Sequence, residues 1–194
     1  MRQNILRKSC SSIDMKEENA LQIHMGDQFK QLDSIVQDAH FDDIELNGHI
    51  EVKRGGYLSN FVCNILGMPK AGKSVKNIVH GYHYSDHLKW ERTFDGKPFN
   101  SRFDLVGDYL VESMGPLKLF LKASSENGTL RYTLSHVNFQ GITLPSVIAP
   151  ALSATEKEVK GRYVFLVKVS MPVIGLLIQY SGAVDLVSEK KFNV

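Results

Sequence analysis

Apolar residues recur at helical spacing in two stretches near the start of the chain. Between Gln28 and His40 the apolar positions are Phe29, Leu32, Ile35, Val36 and Ala39. Steps of three and four residues place them on one side of a helix. A second helix is predicted over residues 57–66, with one side formed by Leu58, Phe61, Val62, Ile65 and Leu66. Residues 1–26 are polar and lack a stable period, so we predict a mobile extension followed by a single domain over residues 27–190.

Short alternating runs typical of β-strands make up most of the remaining chain. Ile50 and Val52 alternate with charged residues and predict a short strand between the two helices. Over residues 75–139, turn-forming pairs such as Asp95-Gly96 separate β-rich runs, as in an antiparallel meander. Residues 141–158 look irregular, and two long strands follow at about 159–171 and 176–187. The predicted fold class is α+β: two N-terminal helices packed on a strongly curved antiparallel meander sheet, a half-barrel or open barrel.

The segment GMPKAGKS, residues 67–74, fits the phosphate-binding P-loop pattern at every position. That chemistry needs a strand before the loop and a helix after it, so that backbone N–H groups and the helix N-terminus converge on phosphate. Here the preceding residues favour a helix and the following residues favour a strand, although residues 75–82 also fit helical spacing. We therefore interpret the segment as a helix end followed by a loop, and nucleotide binding is not predicted. A helix over residues 75–82 would reverse that interpretation.

Two hairpins in the meander predict which side chains share the inner face of the sheet. If Gly96-Lys97 is the first loop, the pairs are Phe94 with Phe99, Arg92 with Ser101, Trp90 with Phe103, and Leu88 with Leu105. This face is then almost wholly apolar, and a loop shifted by one residue is expected to scatter the aromatic residues. The next hairpin, turning at Gly107-Asp108, pairs Phe103 with Glu112 and places Glu112 on the same face as Arg92.

The inward charges of Arg92 and Glu112 are the most informative pattern in the sequence, because an unpaired inward charge is costly. They are expected to form a buried ion pair or lie on a wet face, or else to be the polar anchor that orients a ligand's head group in an apolar cavity. Tyr180 is also expected inside, where its hydroxyl needs a partner. No residue is assigned a catalytic role. The candidate ligand-binding residues are Trp90, Arg92, Ser101, Phe103, Glu112 and Tyr180.

Composition and charge narrow the expected partners. The net charge is +2 with no basic stripe, so nothing electrostatic in the sequence favours nucleic acid or an anionic membrane. The most apolar window, residues 171–178, is too short to span a bilayer, and the N-terminus has no signal-peptide stretch. Cys10 and Cys63 lie in unlike surroundings, so we expect a reduced, soluble, cytoplasmic protein.

A metal site and a cofactor are not predicted. The spacing of His80, His83 and His87 would gather metal ligands on a helix. In a region of strands and turns, however, His80 and His83 point to opposite faces. No nucleophile elbow, dinucleotide fingerprint or Cys–His arrangement appears either.

Several short segments occur together in an order that resembles a known family. They are RGG (54–56), LGMPKAG (66–72), WERTF (90–94), SRF (101–103), LVESMGPL (110–117), LP…P (144, 145 and 150) and MPVIGLLIQYSG (171–182). Over roughly residues 28–187 the chain resembles the bacterial domain-of-unknown-function family 4166. The resemblance implies a domain without an established activity, found alone or C-terminal to reductase-like or saccharopine-dehydrogenase-like NAD(P)-binding domains. It also implies that Lys73-Ser74 is incidental, since the family's loop need not continue in that way.

Three functions fit these observations. The first is a non-catalytic binding module that encloses a hydrophobic or lipid-like small molecule in a sheet-lined cavity. The second is an enzyme in which Glu112 is the acid or base and Arg92 holds an anionic substrate. The third is an accessory domain that contacts a reductase-like protein, expected on a separate polypeptide, or a membrane protein through the loops around residues 141–158. We expect the first.

Overall fold

The computed structural model describes residues 17–188, and most of these residues belong to one antiparallel sheet. The helical segments are α1 (Ala20–Met25), a 3₁₀ helix (Gly26–Gln31), α2 (Ser34–Phe41) and α3 (Tyr57–Ile65). The first six strands are β1 (Ile44–Arg54), β2 (Gly72–His83), β3 (His87–Phe94), β4 (Lys97–Pro98), β5 (Ser101–Val106) and β6 (Tyr109–Met114). The other six are β7 (Leu117–Glu126), β8 (Thr129–Phe139), β9 (Ile142–Thr143), β10 (Ala151–Val159), β11 (Arg162–Met171) and β12 (Gly175–Ser188).

The sheet closes into an antiparallel barrel of ten strands, so the predicted curved antiparallel sheet is confirmed, whereas its description as a half-barrel or open barrel on two N-terminal helices is imprecise. The strand order is β10-β11-β12-β1-β2-β3-β5-β6-β7-β8, and β8 pairs in turn with β10. Four residue pairs close the barrel, from Ser153 opposite Thr133 to Glu156 opposite Leu130. The closing strand lies in the segment that looked irregular, because it is rich in Ala, Glu and Lys, which are depleted in strands.

The segments before β1 close one end of the barrel, which we call the plugged end. Helix α1 contacts β3, β5, β6 and β7, whereas α2 contacts β2, β10 and β11. Burial of their apolar side chains in the barrel stabilises this arrangement. The buried residues of the plug are Ala20, Leu21, Met25, Phe29, Leu32, Val36 and Ala39.

The plug differs from the sequence prediction in two ways. The helix predicted over residues 28–40 is broken at Leu32, which bridges to Gly128, and the Asp33 amide donates to the Gly128 carbonyl at 2.8 Å. Of the predicted mobile extension, residues 1–16 lie outside the described residues, but Ala20–Met25 is a helix. Its cap is Asn19, whose side chain accepts from two backbone amides in a capping box. Helix α1, which precedes residue 27, therefore packs on the barrel.

The two predicted hairpins have different outcomes. The loop of the first is Asp95-Gly96, with positive φ angles of 49° and 76°, so Trp90 lies opposite Ser101 rather than Phe103. A loop moved by one residue shifts the pairing by two positions, which leaves the same side chains on the inner face. The expected scattering of aromatic residues is therefore wrong. The second hairpin is confirmed, with Phe103 opposite Glu112.

Helix α3 lies at the opposite end of the barrel, which we call the open end. The helix was predicted, but it attaches to β12 through its small residues: Ser59 Oγ donates to the Leu176 carbonyl at 2.7 Å, and Cys63 Sγ lies 3.5 Å from the Leu177 carbonyl oxygen. A Cβ on Gly55 would lie 2.0 Å from the Leu176 oxygen, so glycine is required for this approach. The predicted apolar stripe of α3 faces mainly away from the sheet.

Candidate functional site

A cavity of about 400 Å³ lies inside the barrel. This volume falls within the range of small-molecule sites, roughly 300–1,000 Å³. All ten barrel strands, α3 and residues 144–150 contribute to its lining. The six candidate ligand-binding residues identified from the sequence all line this one cavity: Trp90, Arg92, Ser101, Phe103, Glu112 and Tyr180.

Arg92 and Glu112 share the inner face, and Ser101 lies between them. Arg92 Nη1 donates to Ser101 Oγ at 2.9 Å, and Ser101 is hydrogen-bonded to the Glu112 carboxyl group. Among the described residues, the ion pairs within 4.0 Å do not include Arg92 with Glu112. The Arg92 guanidinium also lies 5.8 Å from the centre of the Trp90 ring, within cation–π range. Arg92 is therefore held by neutral groups, and its charge is not cancelled by direct contact with Glu112.

Burial raises the pKa of Glu112 above the ordinary carboxyl value, although the Ser101 hydrogen bond and the Arg92 charge oppose this shift. The protonated carboxyl group therefore persists to higher pH than it does in water. In that form Glu112 can donate a hydrogen bond as well as accept one.

A second buried carboxyl group, Glu156 on β10, was not identified from the sequence. Its Oε2 lies 2.5 Å from His40 Nε2, and the Tyr163 hydroxyl donates to the same carboxylate. Burial alone would raise the pKa of Glu156, but His40 and Tyr163 hold this pKa below its ordinary value. The cavity thus contains two carboxyl groups whose environments shift their pKa values in opposite directions.

His40 connects Glu156 to the plug, because it stands near the end of α2. Its side chain is fully buried, and its ring makes edge contacts with Trp90 and His83 at centroid distances of 5.2 and 5.5 Å. Sequence periodicity had assigned His40 only to the end of a helix. The signal for Glu156 was the alternation of Leu152, Ala154 and Glu156, which all face the cavity.

Tyrosine hydroxyl groups complete the polar part of the cavity wall. Burial raises the pKa values of Tyr132 and Tyr163 well above the ordinary phenol value, and it also raises that of Tyr180. These hydroxyl groups therefore keep their protons at neutral pH and can act as donors. The Arg92 charge influences all three tyrosines as well as Glu156, so these side chains form one group. We call it the polar cluster: Arg92, Ser101, Glu112, Tyr132, Glu156, Tyr163 and Tyr180.

The rest of the lining is almost wholly apolar and extends from the polar cluster to the open end. At that end α3, the β2–β3 side of the sheet and residues 144–150 surround the cavity. The side chains there include Leu66, Met68, Met114, Leu117, Leu144, Ile148, Pro150 and Met171. The cavity therefore has one polar region, linked to the plug, and one long apolar region.

The P-loop-like segment has the order of elements predicted for a helix end. Helix α3 precedes it, Gly67 takes a positive φ of 64°, and β2 begins at Gly72, so residues 75–82 are a strand. No helix N-terminus is available to hold phosphate at this position, in a part of the chain that is fully described. Arg54 instead clamps the loop, donating to the carbonyls of Met68 and Pro69.

Of the three histidines considered as metal ligands, His83 and His87 make other contacts. The His83 ring packs on His40 and Trp90, and His87 Nδ1 lies 2.6 Å from Asp86 Oδ1. Within residues 17–188 no group of three or more His, Cys, Asp or Glu side chains is arranged to hold a metal ion. None of the helices in the same range has the length and apolarity needed to cross a membrane.

The fold and its interior define a closed antiparallel β-barrel with an internal cavity. The family model described as "Domain of unknown function (DUF4166)" matches residues 36–184, and the chain belongs to that family. The match begins within α2 and ends within β12, so it covers nearly the whole barrel, whereas α1 and the 3₁₀ helix precede it. A search of curated proteins found no match.

Proposed function

We propose that the barrel is a binding module for an amphipathic, lipid-like small molecule. The observation that carries the proposal is the cavity of about 400 Å³, whose lining outside the polar cluster is apolar apart from the Asn77 side chain on β2. A ligand with an apolar chain and one polar head matches this division. The head lies against Arg92 and the tyrosines, and the chain extends toward the open end.

The polar cluster favours a head group that accepts hydrogen bonds, such as a carboxylate. Arg92 is held by Ser101 and the Trp90 ring, both neutral, and so retains its charge for an anionic partner. The protonated hydroxyl groups of Tyr132 and Tyr180 are further donors. Charge-assisted hydrogen bonds from an arginine to a carboxylate are among the strongest that a buried site can offer.

Displacement of a fluorescent anilinonaphthalene sulfonate dye tests this proposal. Palmitate and hexadecanol have the same chain length and differ in the head, so the pair separates chain binding from head binding. Both should displace the dye, and Arg92→Leu should weaken palmitate binding roughly tenfold to a hundredfold while changing hexadecanol binding little. Arg102→Leu is the matched control, since Arg102 is exposed and pairs with Asp104. Failure of both probes to displace the dye, or equal losses for both probes in Arg92→Leu, would contradict the proposal.

A second candidate is an enzyme in which Glu112 transfers a proton to or from a substrate held by Arg92. The raised pKa of a buried carboxyl group beside a charged residue in a cavity is typical of catalytic sites. Glu112→Gln distinguishes the two functions. A binding module retains palmitate binding and consumes no component of a lipid extract, as followed by mass spectrometry. An enzyme consumes a component that the Glu112→Gln variant leaves intact.

A further inference from the structure

We infer that the open end of the barrel docks on the surface of an anionic lipid bilayer. The bilayer is then the source of the amphipathic ligand, and this last step rests on the proposed function. The docking itself stands on three separate observations: an exposed apolar surface around the cavity mouth, a helix whose apolar side faces outward, and the separation of charge between the two ends of the barrel.

Large apolar side chains are exposed together at the open end. We call this surface the apolar rim, and it consists of Tyr57, Leu58, Phe61, Ile65, Leu66, Val147, Ile148 and Val173. They belong to α3 and the residue that follows it, to residues 144–150 and to the turn between β11 and β12. Leu66 and Ile148 also line the cavity, so the rim is continuous with the cavity wall. Clusters of this kind mark interaction surfaces rather than ordinary exposed residues.

Helix α3 presents to solvent the side that a surface helix normally buries. Ser59 and Cys63 are fully buried against the sheet, whereas Leu58, Phe61 and Ile65 are 62%, 65% and 68% exposed. Burial of such large apolar side chains away from water is favourable. Because these side chains of α3 stay exposed in the folded protein, a partner that covers them would gain the free energy of their burial.

Charge complementarity identifies that partner as an anionic surface. Although the net charge is only +2, basic residues predominate at one end of the barrel and acidic residues at the other. Near the open end the basic residues are Arg54, Lys70, Lys73, Lys97 and Lys118, accompanied by Asp95. Near the plugged end the acidic residues are Asp27, Asp33, Asp38, Asp42, Asp43, Asp86, Asp108, Glu126 and Glu158, accompanied by Lys30, Arg131, Lys160 and Arg162. Such a division turns the open end toward a negative surface and the plugged end away from it.

A bilayer matches the chemistry of the apolar rim in detail. An amphipathic surface helix inserts its apolar side at the boundary between head groups and acyl chains, and flanking lysines contact anionic head groups. Tyr57, which is 97% exposed, supplies an aromatic ring of the kind enriched at that boundary. Each lysine near such a surface strengthens the attraction to anionic head groups. With the mouth against the bilayer, an amphipathic molecule passes between acyl chains and cavity without crossing water.

Vesicle co-sedimentation tests the docking. The full chain is mixed with vesicles of phosphatidylcholine, and separately with vesicles of equal parts phosphatidylcholine and phosphatidylglycerol. The protein should bind the anionic vesicles more tightly, and binding should weaken as salt is added. Phe61→Ser combined with Ile65→Ser should lower the partition coefficient at least tenfold. Val106→Ser is the matched control, because Val106 is exposed at the plugged end and should have no effect.

Lysine variants test the charge component separately. Lys70→Gln combined with Lys73→Gln should weaken binding to the anionic vesicles severalfold and leave the phosphatidylcholine vesicles unaffected. Lys160→Gln, at the plugged end, should change neither. All these positions are exposed, so thermal melting curves should match the wild type and show that folding is intact.

Three outcomes would overturn the inference. The first is equal or absent binding to the two kinds of vesicle. The second is a wild-type dimer, seen by analytical ultracentrifugation, that Phe61→Ser and Ile65→Ser convert to monomer, since the rim is then an interface between two copies. The third is stable capture of a protein by the rim that vesicles do not displace. Dye displacement measured without vesicles separates the two proposals: displacement without vesicle binding rejects only the docking, and vesicle binding without displacement rejects only the internal ligand.

Discussion

The two ends of the barrel use helices in opposite ways. At the plugged end, α1 and α2 turn most of their apolar residues inward and contribute them to the core, and only Ile23 and Phe41 are exposed. At the open end, α3 turns small residues inward and leaves large apolar residues in water. Both arrangements place a helix across the end of the same barrel. Only at the plugged end does burial of the large apolar side chains of the helices stabilise the fold.

This difference teaches that helical periodicity locates an apolar stripe without showing what covers it. The stripe over Phe29, Leu32 and Val36 and the stripe over Leu58, Phe61 and Ile65 look equivalent in the sequence. Their burial differs because Gly55, Ser59 and Cys63 bring α3 against β12 by its opposite side. The first stripe stabilises the fold, and the second is free to meet a partner.

The largest expected effect comes from truncating one apolar residue at each end. Leu21→Ala removes a fully buried side chain from the plug and should lower the free energy of unfolding by about 2–5 kcal/mol. Leu58→Ala removes a side chain that is mostly exposed on α3, and the change should stay within about 0.5 kcal/mol. Urea unfolding of both variants measures the contrast. Similar losses at the two positions would mean that the apolar side of α3 is buried in the folded protein.

Gly55→Ala should have the next largest effect, because it alters the attachment of α3. A Cβ at this position would collide with the Leu176 carbonyl oxygen and with Ser59 Oγ, at 2.0 and 2.4 Å. We expect a loss of more than about 2 kcal/mol and a weaker grip of α3 on β12. Gly56→Ala is the control one residue along, since a Cβ there meets nothing within 4 Å. Equal stability of the two variants in urea would contradict this attachment.

Tyr163→Phe tests the buried contact through which the polar cluster reaches the plug. Loss of the hydroxyl removes a donor from the Glu156 carboxylate and should cost about 1–3 kcal/mol at neutral pH. Since the folded-state pKa of Glu156 is lowered, its contribution to stability is present above the unfolded-state pKa and disappears as the pH falls through the folded-state pKa. The difference between variant and wild type should therefore shrink in acid. A difference independent of pH would show that the hydroxyl group stabilises something other than the carboxylate.

Glu112→Gln should have the smallest effect and the opposite dependence on pH. The folded-state pKa of Glu112 is raised, so stability falls as the pH rises from the unfolded-state value through the folded-state value. Glutamine removes that dependence and keeps a partner for Ser101, so the variant should gain about 1 kcal/mol or less at neutral pH and nothing in acid. Melting temperatures across a pH series measure the gain. A variant that is less stable at neutral pH would indicate that the charged carboxylate is favoured.

Local features of the fold were predictable from the sequence, and closure was not. Neighbouring residues determine three of these features, and their pattern predicts them: helix α3, the turn at Gly107-Asp108 and the pairing of Phe103 with Glu112. The pairing of β10 with β8 depends on the curvature accumulated over the whole sheet. Its residues, including Ala154 and Glu156, have little intrinsic preference for a strand. Missing β10 turned a closed barrel into a predicted half-barrel.

The same missing strand explains which site residues could be predicted. Arg92, Ser101 and Glu112 lie on consecutive hairpins, so alternation along the chain is sufficient to place them on one face. Glu156 joins them only because the barrel closes, and its partner His40 is 116 residues away along the chain. Contacts over such a distance leave no periodic signal. Four of the seven residues of the polar cluster, the fourth being Tyr180, were therefore predicted from local pattern, whereas Tyr132, Glu156 and Tyr163 were not.

The position of β1 has a consequence for how the protein is made. This strand pairs with β2, which follows it closely, and with β12, where Leu46 lies opposite Leu186. During synthesis, the second edge of β1 stays uncovered until nearly the whole domain has been translated. Until then, the edges of β1 and β11 remain open to other chains. A chain released by a ribosome that stalls before Gly175 would have both strand edges open and would be prone to aggregation. Addition of β12 is therefore the step that protects the nascent protein from pairing with other chains.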